Sequence, residues 1–494
     1  MENRGDESLY VYLYRCVRRD IESGAIAPDQ RLPSKRALAK HLGVSVITVE
    51  GAYAQLEAEG YIRSAERRGY YANAVGVSPL SRFPATPRPT EPALGPRPSE
   101  PARQEPEPAR QESAPQPPLV ADFTGSVSPT GLFPYALWAR TVREVLTEAS
   151  EQALVREASP TGSPRLRAAL ASYLRGVRGM EVDPSQIVVG AGAQMLYNLI
   201  VQLLGRDRRY AVENPGYPRL THIYQANDAP LSHVPLDGEG IAMEGLRASG
   251  ASVVHVMPSH QYPTGLVTSV GRRYGLLAWA NEGGPDRRGR YVVEDDYDCE
   301  FRLAGRPIPA LQSIDATGRV IYTNTFAKSL GPAFRLGYMV LPPQLSREFE
   351  ERLGFYSCTV SAIEQLALAR FIECGDYERH VGRTRSHYRV LRDELVGALR
   401  ESSFGDRLVI EGADAGLHFV MGVRDVQAGD RAVAEKARGL GVALAPLSGF
   451  AEGGSLAGAG PWGGDCRWFV MSYGGVVPER IAPAVAVLER AFRA

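Results

Sequence analysis

Cysteine is scarce in this chain: Cys16, Cys299, Cys358, Cys374 and Cys466 are widely scattered and form no Cys-x-x-Cys pair. That pattern argues against a disulfide framework and against structural zinc, and it fits a reducing compartment. No apolar run approaches the length of a membrane span, and the N-terminus Met-Glu-Asn-Arg-Gly-Asp-Glu lacks the apolar core of a signal peptide. A cytoplasmic location without a membrane partner is expected. The formal net charge is +0, so nothing pulls the whole molecule toward nucleic acid and any such contact needs a local basic patch. What is abundant is length: 494 residues exceed one ordinary domain and suggest about two to four units.

The first unit reads as helical. Leu9, Leu13, Val17 and Ile21 recur every four residues and make one apolar stripe, with Gly24 placed to end it. Ser34 is an N-cap for the helix Lys35 to Leu42, Gly43 closes that helix, and Ser45 caps the next, whose buried side is Val49, Tyr53 and Leu56. Two short helices joined by Leu-Gly-Val make a helix-turn-helix. The following Tyr61-Ile62-Arg63 and Tyr70-Tyr71-Ala72 read as strands around the basic turn Glu66-Arg67-Arg68-Gly69. From Pro79 to Pro118 about a third of the residues are proline, with almost no large apolar side chains, so this stretch is expected to be an extended linker able to span on the order of 100 Å.

Beyond Val120, short apolar runs (Gln186 to Val189, Arg208 to Val212, Ser252 to Met257, Arg290 to Glu294, Val320 to Thr323) alternate with amphipathic stretches, the pattern of an α/β sheet covered on both faces. Ligands of such sheets bind beyond the strands' C-terminal ends. At one such end stands Thr-Asn-Thr-Phe-Ala-Lys-Ser-Leu-Gly-Pro-Ala-Phe-Arg, residues 323 to 335. A lysine on a partly buried turn loses some preference for its charged form, and the neutral amine can condense with an aldehyde. Arg335 offers a bidentate fork to a phosphate, and Thr325 a second donor. Gly190-Ala191-Gly192-Ala193-Gln194 ends another strand and opens a helix, whose free amides suit a phosphate.

The first unit, roughly residues 8 to 73, resembles the GntR class of winged helices, whose pattern Leu-Pro-Ser-x-Arg-x-Leu-Ala-x-x-Leu-Gly-Val-Ser runs through Leu32 to Ser45. The resemblance implies that Arg31, Lys35, Arg36, Arg67 and Arg68 meet phosphates or groove edges of double-stranded DNA, with Ser45 and Thr48 opening the helix that enters the major groove. Where the class commonly has arginine after that serine, this chain has Val46. The lysine segment resembles that of fold-type I pyridoxal-phosphate enzymes in the form seen in MocR/GabR-type regulators. That likeness implies a Schiff base between Lys328 and pyridoxal 5'-phosphate, with a phosphate turn at Gly192, Ala193 and Gln194. It puts Tyr217 on the ring face, Asp295 at the pyridine nitrogen, Tyr297 at the ring oxygen, and Thr325 and Arg335 at the phosphate. Arg219 could meet a carboxylate or the phosphate, and Tyr262 stands where many of these enzymes have an asparagine.

The implied architecture is an α+β winged helix over 1–76, a linker over 77–120, and an α/β fold-type I transferase-like domain over 121–494 with a small α+β subdomain from about 375. No metal is implied. Two departures bear on substrate: Val470 occupies the place of the carboxylate-binding arginine, with Arg467 three residues earlier on the strand's other side and able to contact an effector carboxylate only if the strand shifts or bulges, and Glu157-Ala158-Ser159-Pro160 replaces a tyrosine motif. A regulator is therefore expected that binds the cofactor, transaminates poorly or not at all, forms a homodimer, and senses the cofactor itself, an amine or an amino acid. An active aminotransferase with an accessory DNA-binding domain, and a repressor with a degenerate dimerising scaffold, stay open as alternatives.

Overall fold

A computed structural model describes residues 9–58, 61–65, 69–73, 119–125, 131–148, 154, 158–283, 288–303, 309–456 and 460–493. The linker expected over 77–120 falls almost wholly outside these residues, as do Arg67, Arg68 and Glu157. The chain divides into two compact units, Met1–Arg110 and Gln111–Ala494.

In the first unit, helices α1 (Leu9–Glu22), α2 (Lys35–Leu42) and α3 (Val46–Ala58) precede a hairpin of β1 (Ile62–Ala65) and β2 (Gly69–Ala72). The apolar stripe of α1 turns Leu13, Val17 and Ile21 onto Val49, Tyr53 and Leu56 of α3, and Ile62 and Ala72 of the hairpin complete this core. Ser34 Oγ accepts from the Ala37 amide, so the cap that starts α2 is made by the residue the sequence offered for it. Gly43 ends the helix at φ 66°, a left-handed conformation that glycine adopts without a Cβ clash, and its N–H returns to Ala39 O. Tyr53, fully buried, donates to Pro33 O at 3.0 Å and ties α3 to the turn before α2.

The second unit is built on an eight-stranded sheet. After a short β3 (Ala121–Asp122), its strands are β4 (Ile187–Gly190), β5 (Tyr210–Asn214), β6 (Leu231–Asp237), β7 (Gly240–Ile241), β8 (Val253–Val256), β9 (Tyr291–Asp295), β10 (Val320–Thr325) and β11 (Gly337–Val340). Their order is β4-β11-β10-β9-β8-β5-β6-β7. Strands β10, β9, β8, β5 and β6 run parallel, and β11 runs antiparallel to both β10 and β4. Every residue of β4, β8, β9, β10 and β11 is buried, as expected where helices cover both faces. The register aligns the ends that matter: Thr325 is opposite Gly337, Gly337 opposite Gly190, and Thr323 opposite Asp295.

A smaller four-stranded sheet follows, β12 (Leu408–Glu411), β13 (His418–Val423), β16 (Arg467–Ser472) and β15 (Ala445–Pro446) in that order, packed with the Asp376–Glu401 and Ile481–Ala491 helices. The start of the second unit joins this part. Strand β3 pairs in parallel with β14 (Val442–Ala443), and Phe123 is fully buried in the same core.

Candidate functional site

Strand alternation sorts the acidic run that ends β9. Glu294 and Asp296 turn to one side and Asp295 to the other. Glu294 accepts from the Leu311 and Gln312 amides at 2.7 and 2.8 Å, and burial lifts its carboxyl to about 7. Asp296 Oδ2 accepts from Arg178 at 2.5 Å and from the Tyr322 hydroxyl at 2.8 Å, inside a salt bridge almost without exposure. These two acids are structural. Asp295 instead lines a cavity of about 220 Å³ beyond the strand ends. Its Oδ2 accepts from the Tyr197 hydroxyl, while its Oδ1 is buried without a partner.

Lys328 lines the same cavity from the turn after β10. Its side chain is half-buried. Desolvation lowers the amine below the ordinary lysine value, against a smaller opposing pull from the Asp298 carboxylate. Also on the cavity wall, the Ala193–Leu204 helix opens at Gly192 with no side-chain cap, leaving its first amides free for an anion. Arg335 stands directly beside it: a Cβ built on Gly192 would lie 2.8 Å from Arg335 Nη2, and Gly192 itself has φ 81°. Arg335 donates to Ala191 O at 3.2 Å and holds φ 50°, a left-handed backbone costing a non-glycine residue about 1–2 kcal/mol. Thr325, Ala193, Gln194, Tyr217, Tyr297 and Arg219 also line the cavity, Arg219 from an exposed position. Tyr217 meets Tyr262 edge-on at 5.6 Å.

The residues present fit pyridoxal phosphate. A buried carboxylate oxygen without a partner suits a protonated ring nitrogen, a desolvated lysine amine suits the aldehyde, and an uncapped helix end beside an arginine suits the phosphate.

Several lining residues carry no signal in a short motif. Tyr197 lies one helical turn into the helix after the glycine turn, which brings its hydroxyl to Asp295. Asp298 pairs with His260 Nδ1 at 2.8 Å, and Tyr297 reaches the same nitrogen at 3.3 Å. His418, from β13, lies 4.4 Å from His260 between ring centroids, and burial holds it well below the ordinary histidine value. Ser472 and Gly474 come from the end of β16. The expectation that Arg467 could contact an effector is corrected: it is on the opposite face of β16 from Ser472, is not among the residues lining the cavity, and donates to Ala428 O at 2.8 Å. Val470 is fully buried between Val420 and Ala445.

In the winged helix, Arg31 and Arg36 are exposed. Lys35 is paired with Glu50 at 2.7 Å. Ser45 Oγ accepts from the Thr48 amide at 3.1 Å and lies 2.8 Å from Thr48 Oγ1, so both hydroxyls are engaged in capping α3.

A lysine at a strand end of a mostly parallel sheet, facing an uncapped helix and a smaller subdomain, defines the second unit as an aminotransferase class I and II domain, and residues 131–455 match that family. Residues 9–71 match the bacterial regulatory proteins of the gntR family. The chain is 35% identical over 90% of its length, and 90% of the relative's, to the uncharacterized HTH-type transcriptional regulator YdeL of Bacillus subtilis. It is 32% identical over 100% of its length, and 96% of the relative's, to the probable rhizopine catabolism regulatory protein MocR of Rhizobium meliloti. Among solved structures, the multiple substrate aminotransferase of Thermococcus profundus matches with TM-score 0.65 and 26% identity, over 76% of this chain and 91% of that one. The chain belongs to the MocR-type regulators, in which a GntR winged helix precedes an aminotransferase class I and II domain. It is a DNA-binding transcriptional regulator.

Proposed function

We propose that the aminotransferase-like domain binds pyridoxal 5'-phosphate through Lys328 and uses it to sense the cofactor itself, an amine or an amino acid. The observation that carries the reading is the meeting, in one cavity, of a desolvated lysine and a buried carboxylate with one unpartnered oxygen. Bound there, the cofactor would supply an aldehyde for amines and an electron-withdrawing ring. Asp295 would hold the ring nitrogen's proton, with the Tyr197 hydroxyl keeping the carboxylate in place. Ala193, Gln194, Thr325 and Arg335 would take the phosphate, and Tyr217 one face of the ring. Arg219, at an exposed position on the cavity wall, is the residue available to an effector carboxylate.

Sensing is favoured over turnover because Val470 is packed in the core and Arg467 is held by Ala428 O on the far face of β16. Neither offers the carboxylate clamp of an amino-acid transaminase. Relatives' names point to different regulated pathways: rhizopine catabolism for MocR and pyridoxine biosynthesis for PdxR of Corynebacterium glutamicum, 31% identical over 84% of this chain. In a homodimer, an effector that binds two arrangements unequally would change the spacing of the DNA-binding heads.

The test is the near-visible absorbance of the full-length protein with added pyridoxal phosphate, beside Lys328→Ala treated alike. A Schiff-base band in the wild type that is missing from the variant supports the reading. No band with cofactor in excess sinks it, and repeated amino-group transfer to a keto acid would replace sensing with catalysis.

A further inference from the structure

The helix that the GntR fold presents to DNA exposes almost no free polar side chain on its first turn. Residues at the start of such a helix are the ones that reach base edges. Here they are Val46, Ile47, Thr48 and Val49. Val49 is fully buried, and Thr48 is tied to Ser45 through amide and hydroxyl. The nearest acid, Glu50, is held by Lys35 at 2.7 Å. That leaves Val46, 42% exposed, and Ile47, 79% exposed. A branched alkyl group carries no donor or acceptor with which to tell guanine, cytosine or adenine apart. In the major groove, the base feature it can recognise is the C5-methyl group of thymine. Exposed Arg31 and Arg36, just before α2 and in its first turn, would hold the phosphates while carrying no sequence information.

We infer that α3 reads thymine by its methyl group, through Ile47 with Val46 beside it. The inference rests on the DNA-binding role of the winged helix and is independent of the cofactor. It commits the patch to DNA rather than to a protein partner, because it occupies the base-reading turn of a helix-turn-helix.

The test begins with full-length protein and a random-sequence duplex library. In the enriched duplexes each thymine is then replaced singly by deoxyuridine, which removes one methyl and leaves the pairing edge intact. At one thymine per half-site, deoxyuridine should weaken binding about fourfold, the worth of one buried methyl. Ile47→Ala, at a surface position whose loss does not threaten the fold, should bind thymine and deoxyuridine duplexes equally there. Val46→Arg should move the selected base toward guanine, which a guanidinium contacts through two hydrogen bonds.

Selected sites without a thymine in both halves would overturn the inference, as would a deoxyuridine penalty unchanged in Ile47→Ala and Val46→Ala. Loss of self-association in Ile47→Ala with DNA binding intact would reassign the patch to a protein contact and likewise overturn it. A library from which the wild type enriches nothing would overturn the DNA-binding role itself.

Discussion

At the end of β5, Glu213 Oε2 accepts from the Met257 amide at 3.2 Å and the Gln261 side chain at 3.4 Å, while its other oxygen is buried without a partner. Burial, with a smaller repulsion from Asp295, lifts this carboxyl to about 8, and the two hydrogen bonds only partly oppose it. The folded chain therefore keeps a proton that the unfolded chain releases near its ordinary value of 4.5. Between those two values the native state binds more protons, so stability falls as pH rises through the window, by on the order of a few kcal/mol for such a shift. Glu213→Gln mimics the protonated acid and should flatten that fall between about pH 5 and 8, measured by denaturant unfolding at each pH. The slope should shrink without vanishing, because Glu294 and Glu300, each lifted to about 7 by burial, act in the same direction.

At the scale of elements, the proposed phosphate site depends on two strand ends meeting. The register of β4, β11 and β10 brings the Gly192 turn against Arg335. Gly192→Ala would drive a Cβ into the guanidinium at a backbone angle glycine alone holds cheaply. Pyridoxal phosphate affinity should drop at least about tenfold, the worth of one hydrogen bond to a charged group, as read by absorbance titration.

Much of this geometry is legible in the sequence, because a motif at a strand end is local. The helix caps, the apolar strands and the order of the Gly192, Tyr217, Asp295 and Lys328 segments follow from neighbours in the chain. What the sequence hides is which residues arrive from elsewhere. His418 and Ser472 reach the cavity on strands of another sheet, and Tyr197 reaches Asp295 by one turn of helix. Asp298 directly follows Tyr297, yet its partnership with His260 depends on a segment almost forty positions away. The same limit governs DNA reading: the sequence locates Lys35 and Ser45, but only packing reveals that Glu50 and Thr48 already occupy them.

For the whole molecule, the first unit has a hydrophobic core of its own, made of residues 13 to 72. The second has cores drawn from residue 121 onward. A fragment of residues 119–494 should fold alone and, on adding pyridoxal phosphate, give the same absorbance as the full chain treated alike. A fragment beginning at 131, where the aminotransferase family match starts, loses β3 and the fully buried Phe123. It should be less stable by about 3 kcal/mol or more, the cost of emptying a buried phenylalanine site, as a lower urea midpoint would show. The β3–β14 pairing also decides where the second unit is tethered. The Val120 and Phe123 amides bond to Gly441 and Ala443 carbonyls, and Phe123 O accepts from Ser472, a residue of the cavity wall. The segment where the second unit begins is thus hydrogen-bonded to the wall of the cavity itself, so an N-terminal truncation that removes Phe123 also strips a partner from that wall.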